Sequence, residues 1–138
     1  MLKTTLLQPE ILEALGSAGH GAKVLIADGN FPFSTKGRPA AKHVYLNLAP
    51  GMLTVTDILK VLVTAIPIEA AEVMQPPTGE PPIFAEFRDI LKMELKPLGR
   101  FEFYDAASSN DVALVIASGE QRIYANLMLT IGVVPPPQ

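Results

Sequence analysis

The residues able to do chemistry in this chain are few, and the first group is Gly19-His20-Gly21 with Asp28. One of only two histidines sits between two glycines, directly before the apolar run Val24-Leu25-Ile26-Ala27. An imidazole changes charge near neutral pH, which suits a general acid or base. The same position also fits a helix end, where a histidine satisfies orphan carbonyls. Val24 to Ala27 reads as a short buried strand, and Asp28 follows it. Ligands in open α/β sheets gather outside the carboxyl ends of strands, so Asp28 is a candidate to orient a histidine or bind a hydroxyl. The alternative is an Asx turn over Gly29-Asn30. His20 precedes the strand, so the strand alone sets it at the opposite end of the sheet. Gly21-Ala22 permits a loop that folds back without requiring one.

The second group lies near the end of the chain. Arg100 opens Arg-Phe-Glu-Phe-Tyr and offers a fork of donors for ligand oxygens, with a surface ion pair as the commoner fate. Tyr104 and Tyr124 each carry a hydroxyl on an aromatic body, useful for binding and for packing alike. In Tyr124-Ala125-Asn126, backbone groups and the Asn126 amide are placed to meet a hydroxylated ligand. Glu120 is expected to face water or cap its turn, and His43 to lie at the surface. There is no Walker loop, no Gly-x-Gly-x-x-Gly and no nucleophile elbow. With no cysteine and no paired histidine spacing, a transition-metal site is not expected, and the chemistry that remains is cofactor-free proton transfer.

These residues need elements to position them. Pro9 opens a helix carried by Glu10 to Leu15, and Gly16 and Gly19 stop it. After the strand to Asp28, residues 34–42 read as a loop and His43 to Leu48 as a second strand. Thr54 or Thr56 caps a helix over Val55 to Ile66, ended by Pro67. Ile68 to Met74 is a third strand, although Glu69-Ala70-Ala71-Glu72 equally suits a helix. Gln75 to Pro82 is an exposed proline-rich loop. Ile83 to Leu95 reads as a helix closed by Pro97 and Gly99, Phe101 to Tyr104 as a short alternating strand, and Asp105 to Asn110 as one helical turn. Val112 to Ala117 and Asn126 to Val133 are the last strands. The pattern predicts a single domain over 1–138, a three-layer α/β/α arrangement with a mixed sheet.

Composition narrows the class. Half the chain is hydrophobic (49%) and only 18% is charged, an apolar balance that hints at surface buried between copies. A net charge of −3 without any basic cluster argues against nucleic acid as a partner. The opening residues lack a signal-peptide core and no stretch reaches the ~20 apolar residues of a membrane span, so the expectation is a cytoplasmic protein with no membrane partner.

Taken together, the motifs resemble the sugar-anomer family that includes D-ribose pyranase and L-fucose mutarotase. The resemblance covers nearly the whole chain: Met1-Leu2-Lys3, Pro9 to Leu12, Gly19-His20-Gly21, Asp28 with Pro32, Arg100 to Tyr104, Ser118-Gly119-Glu120, Tyr124-Ala125-Asn126 and Gly132-Val133. It implies an enzyme interconverting ring forms of a free monosaccharide without a cofactor. The position matched by His20 is the proton donor, and those matched by Asp28, Arg100 and Tyr124 to Asn126 bind the sugar. It also implies ring-like homo-oligomers, a decameric ring among them, with sites near subunit contacts. Arg100 and the aromatic residues after it look more like the fucose type, since ribose pyranases carry a histidine there. Residues 34–52 and Asp105 to Asp111 depart from the family pattern. A non-catalytic monosaccharide-binding protein and a ribose-type pyranase are the alternatives.

Overall fold

A computed structural model describes residues 1–138. The chain runs α1 (Pro9–Ala18), β1 (Lys23–Ala27), α2 (Phe33–Lys36), β2 (Lys42–Tyr45), α3 (Val55–Leu62), β3 (Ile68–Met74), α4 (Ile83–Leu91), β4 (Lys96–Leu98), α5 (Arg100–Ala107), β5 (Val112–Ala117) and β6 (Leu127–Ile131). The strands form one sheet in the order β2-β5-β1-β6-β3-β4. β1 pairs in parallel with β5, as do β2 with β5 and β3 with β4, while β6 runs antiparallel to both β1 and β3. It follows that β1 to β5 all end at one edge of the sheet, and β6 alone begins there.

The sheet is buried on both faces, which explains why β1 is apolar from Val24 to Ala27 rather than alternating. Val24 and Ile26 point into a core built with Ile11 of α1, Ile58 and Leu59 of α3, and Phe84 and Phe87 of α4. Leu25 and Ala27 point the other way, toward Phe31, Phe103 and Ala107. These are the three layers expected from the alternation of strands and helices. Twenty-one buried residues fill the first core and 11 the second, so the α2/α5 layer packs the smaller of the two cores against the sheet. Helix α3 starts where Thr54 Oγ1 accepts from the Asp57 N–H (3.1 Å), and Asp57 Oδ2 accepts in return from the Thr54 N–H (3.2 Å).

Several expected elements change. Phe101 to Tyr104 is not a strand but lies within α5, which also takes up the turn expected from Asp105. Helix α4 stops early, at Leu91, because Lys92 turns left-handed (φ 57°). That releases Lys96 to Leu98 to pair with β3 as the edge strand. Gly99 then begins a helix, with Glu102 Oε1 accepting from its N–H at 3.3 Å. The buried members, Phe103 and Ala107, are four residues apart and face the sheet, a helical spacing that an aromatic alternation over four residues disguises. Helix α3 likewise ends at Leu62, short of Ile66, and Phe33–Lys36 forms a short helix at the start of the expected loop.

Candidate active site

The shared strand edge gathers the candidates. Asp28 follows β1, Met74 ends β3, Arg100 lies two residues beyond β4, and Tyr124 to Asn126 lead into β6. Between them lies a cleft of about 300 Å³ lined by Asp28, Asn30, Phe31, Met74, Arg100, Tyr104, Ile123, Tyr124 and Asn126. That is the lower end of the ~300–1,000 Å³ range for small-ligand sites.

Asp28 is 3% exposed and held on several sides. Its Oδ1 accepts from the Asn30 N–H (3.0 Å) and its Oδ2 from the Ala125 N–H (3.2 Å). Its own N–H donates to Asn126 Oδ1 at 2.8 Å. Burial pushes the carboxyl above its ordinary value; the N–H groups of Asn30, Ala125 and Phe31 pull it back in part, and the Glu120 charge adds to the rise. The Asx turn and the carboxylate at the cleft are thus one arrangement, since the turn aims the group. Because a backbone N–H fixes which Asn126 amide atom is the oxygen, the NH2 group is left as a donor at the cleft.

Arg100 and Tyr104 sit one helical turn apart on α5, as only the helical form of this segment allows. Arg100 Nη2 donates to the Tyr124 hydroxyl oxygen at 3.2 Å, leaving the hydroxyl proton for another acceptor. Tyr104 packs edge-on against Phe31, ring centroids 5.8 Å apart, and forms an aromatic wall. Tyr124 holds a left-handed backbone (φ 57°), costly for a bulky side chain and typical of positions where function constrains the chain.

His20 is elsewhere. Gly19 (φ 80°) and Gly21 (φ 85°) make its turn, and the Gly21 N–H donates to the Ile131 carbonyl at the far end of β6. His20 is therefore at the opposite edge of the sheet from Asp28, and the loop does not fold back. Its ring Nε2 lies 3.1 Å from both oxygens of Glu69, and the two side chains are 57% and 47% exposed. Within one chain, Asp28 does not orient His20.

Met74, Ile123 and Asn30 escaped the sequence reading, although Met74, as the last residue of a parallel strand, was findable by the rule that picked out Asp28. Of the two expectations for Glu120, facing water or capping its turn, the second holds: it is 3% exposed and caps its own turn. Its carboxylate accepts from the Val55 N–H at the start of α3, from the Arg122 N–H and from the Arg122 guanidinium. Burial works to raise Glu120, but the Arg122 hydrogen bonds outweigh it and hold the carboxyl below its ordinary value. No group of three or more His, Cys, Asp or Glu side chains is placed to hold a metal ion.

A buried carboxylate, a free amide NH2, an arginine and a phenol around a small half-apolar cleft define a binding protein for a neutral, hydroxylated small molecule on a mixed-sheet α/β frame. The chain belongs to the RbsD / FucU transport protein family, whose model matches residues 1–134. It is 30% identical to a fucose mutarotase of Danio rerio, an alignment covering 96% of this chain and 92% of the relative. FucU from Bifidobacterium longum superposes with a TM-score of 0.80 at 35% identity, over 93% of this chain and 95% of that one. RbsD of Bacillus subtilis, solved in complex with D-ribose, superposes with a TM-score of 0.84 at 26% identity, over 98% and 100%.

Proposed function

We propose that this protein is a mutarotase for a free monosaccharide, and that its sugar is a 6-deoxyhexose of the L-fucose type. The observation that carries the reading is the convergence of Asp28, Arg100, Tyr124 and Asn126 on one cleft. Likeness to the Danio rerio fucose mutarotase and to FucU supports the choice of sugar. So does the apolar side of the cleft, where Met74 and Ile123 suit a methyl group better than a hydroxymethyl.

Anomer exchange needs one proton delivered to the ring oxygen and another taken from the anomeric hydroxyl. The ring opens to an aldehyde, the carbonyl turns over, and closure returns both protons. Asp28 accepts from sugar hydroxyls, while Asn126 and Tyr124 donate to sugar oxygens. Ala125 contributes through its N–H, which holds the Asp28 carboxylate. Arg100 fixes Tyr124 and supports charge that develops on oxygen. The proton donor is His20, supplied across a subunit contact: β1 spans on the order of 15 Å, so no chain brings its own His20 to its own Asp28. The working form is then a homo-oligomeric ring of single-domain subunits in the cytoplasm. No helix is long and apolar enough to cross a membrane.

Magnetisation-exchange NMR tests the reading directly. The expected result is α/β exchange of L-fucose well above buffer and faster than any exchange of D-ribose, with most of it lost in His20→Ala. Exchange indistinguishable from buffer for every sugar, with binding retained, would leave a non-catalytic sugar-binding protein, the reading that the distance of His20 from the cleft favours. Faster exchange of ribose would reassign the substrate.

A further inference from the structure

Tyr124, Ala125 and Asn126 all lie on the loop from Ser118 to Asn126, which has no helix or strand of its own. Downstream, it is held by Asp28 through Ala125 and Asn126. Upstream, backbone hydrogen bonds to Ala27, Gly29, Gly51 and Leu53 hold Ser118 to Glu120, and between these two anchored ends one side chain, that of Arg122, reaches out of the loop to the helices. We propose that Arg122 is a positioning residue for the reaction, tying this loop to α3 and α4 so that the cleft keeps its working shape.

Arg122 does not line the cleft. Its Nη1 donates to Glu86 Oε2 of α4 at 2.7 Å, and its Nη2 to Thr56 Oγ1 of α3 at 3.2 Å. Its Nε and Nη2 also donate to the two oxygens of Glu120, at 3.1 and 2.8 Å, in a paired geometry. Glu120, buried in turn, reaches the Val55 N–H at 3.2 Å, while its backbone carbonyl accepts from the Gly29 N–H at 2.8 Å, directly after Asp28. One guanidinium thus links two helices to the loop, and it does so at Glu120, whose backbone carbonyl separately holds the segment bearing Asp28. Two residues on, Tyr124 keeps a left-handed backbone that persists only where its surroundings over-determine it. Lysine offers a point charge with rotatable donors rather than a planar fork, and cannot span these partners at once.

The catalytic readout rests on the mutarotase reading, so the experiment carries a second readout that does not. Arg122→Gln, Arg122→Lys and Glu86→Gln are compared with the parent by saturation kinetics of L-fucose exchange and by amide hydrogen exchange. For Arg122→Gln the expected result is a fall in kcat of about 10- to 100-fold with KM within about threefold, the signature of lost placement rather than lost binding. Arg122→Lys recovers only part of this, and Glu86→Gln shows the same change in smaller degree. In each, the Ala125 amide loses protection while those of Leu25 and Ile116 in β1 and β5 keep theirs. Unchanged kcat in folded Arg122→Gln, or an Ala125 amide as protected as in the parent, overturns the proposal. Should Arg122→Gln not fold, Glu86→Gln decides on the same two criteria. A parent without exchange on any sugar sinks the mutarotase reading alone, and Ala125 protection still decides the role of Arg122.

Discussion

Asp28 stands out in the candidate site because it is buried, ionisable and aimed by its neighbours at once. Burial raises its carboxyl above 3.8, the ordinary value, despite the N–H groups that favour the charged form. If the carboxylate is the working form, the acid limb of kcat/KM has its midpoint above pH 3.8, and a pH–rate profile measures it. The stability consequence has a definite sign. A folded-state value above the unfolded one means that the folded chain holds this proton more firmly. The group's stabilising contribution is therefore full below the unfolded value and is lost as pH rises through the folded one. Asp28→Asn removes that fall, so the urea midpoint of the variant should decline less than the parent's over this window. The same substitution weakens sugar binding as well as rate, because one amide atom cannot accept from the Asn30 or Ala125 N–H.

Among the elements, the ends of helices and strands carry more of the function than their middles. Helix α3 begins with Thr54 capping Asp57 and with Glu120 accepting from Val55, so its first turn is tied to the loop that bears the site. Thr54→Ala should cost about 1 kcal/mol in chemical denaturation, as N-cap losses do. Gly119 is less forgiving. A Cβ there would collide with the backbone oxygens of Met52 and Ala49, which have no side-chain freedom to yield. Gly119→Ala is expected to cost more than the cap does, about 1–3 kcal/mol on the scale of overpacked sites, and the same denaturation series ranks the two. Helix α5 shows the converse. Its turn from Arg100 to Tyr104 creates one wall of the cleft, which a strand over the same residues would have stretched apart.

At the scale of the whole molecule, the sheet sets the two candidate catalytic groups at opposite edges. The cleft holds Asp28 and no histidine, while His20 is exposed with Glu69 beside it. If copies share the site, His20→Ala and Asp28→Asn subunits, each inactive alone, regain exchange when co-refolded. Random pairing at equal mixing restores about one quarter of the clefts. Mixed oligomers with no more activity than the separate variants would assign the proton transfer to groups within one chain. Light scattering on the parent supplies the companion measurement, and a monomer mass at micromolar concentration would remove the shared site altogether.

Local pattern carried the sequence reading a long way. The aliphatic run before Asp28, the cap at Thr54, the proline-rich break at Gln75 to Pro82 and the strands at Val112 and Asn126 all report short-range preferences, written within a few residues of where they act. From these, and from the family resemblance, the layered α/β class was legible, and so were Asp28, Arg100, Tyr124 and Asn126 as the residues that come to line one cleft, with Ala125 buried behind them. Strand order was not, because it depends on which apolar faces bury one another across the chain. Only the placement of β6 between β1 and β3 brings Asn126 to Asp28, 98 residues apart. Only burial of Phe103 and Ala107 against the sheet makes Arg100 to Ala107 a helix instead of a strand. The distance of His20 from the cleft and the Glu120–Arg122 tie have the same origin. Both follow from long-range packing and the pairing of buried charge, which no stretch of chain expresses by itself.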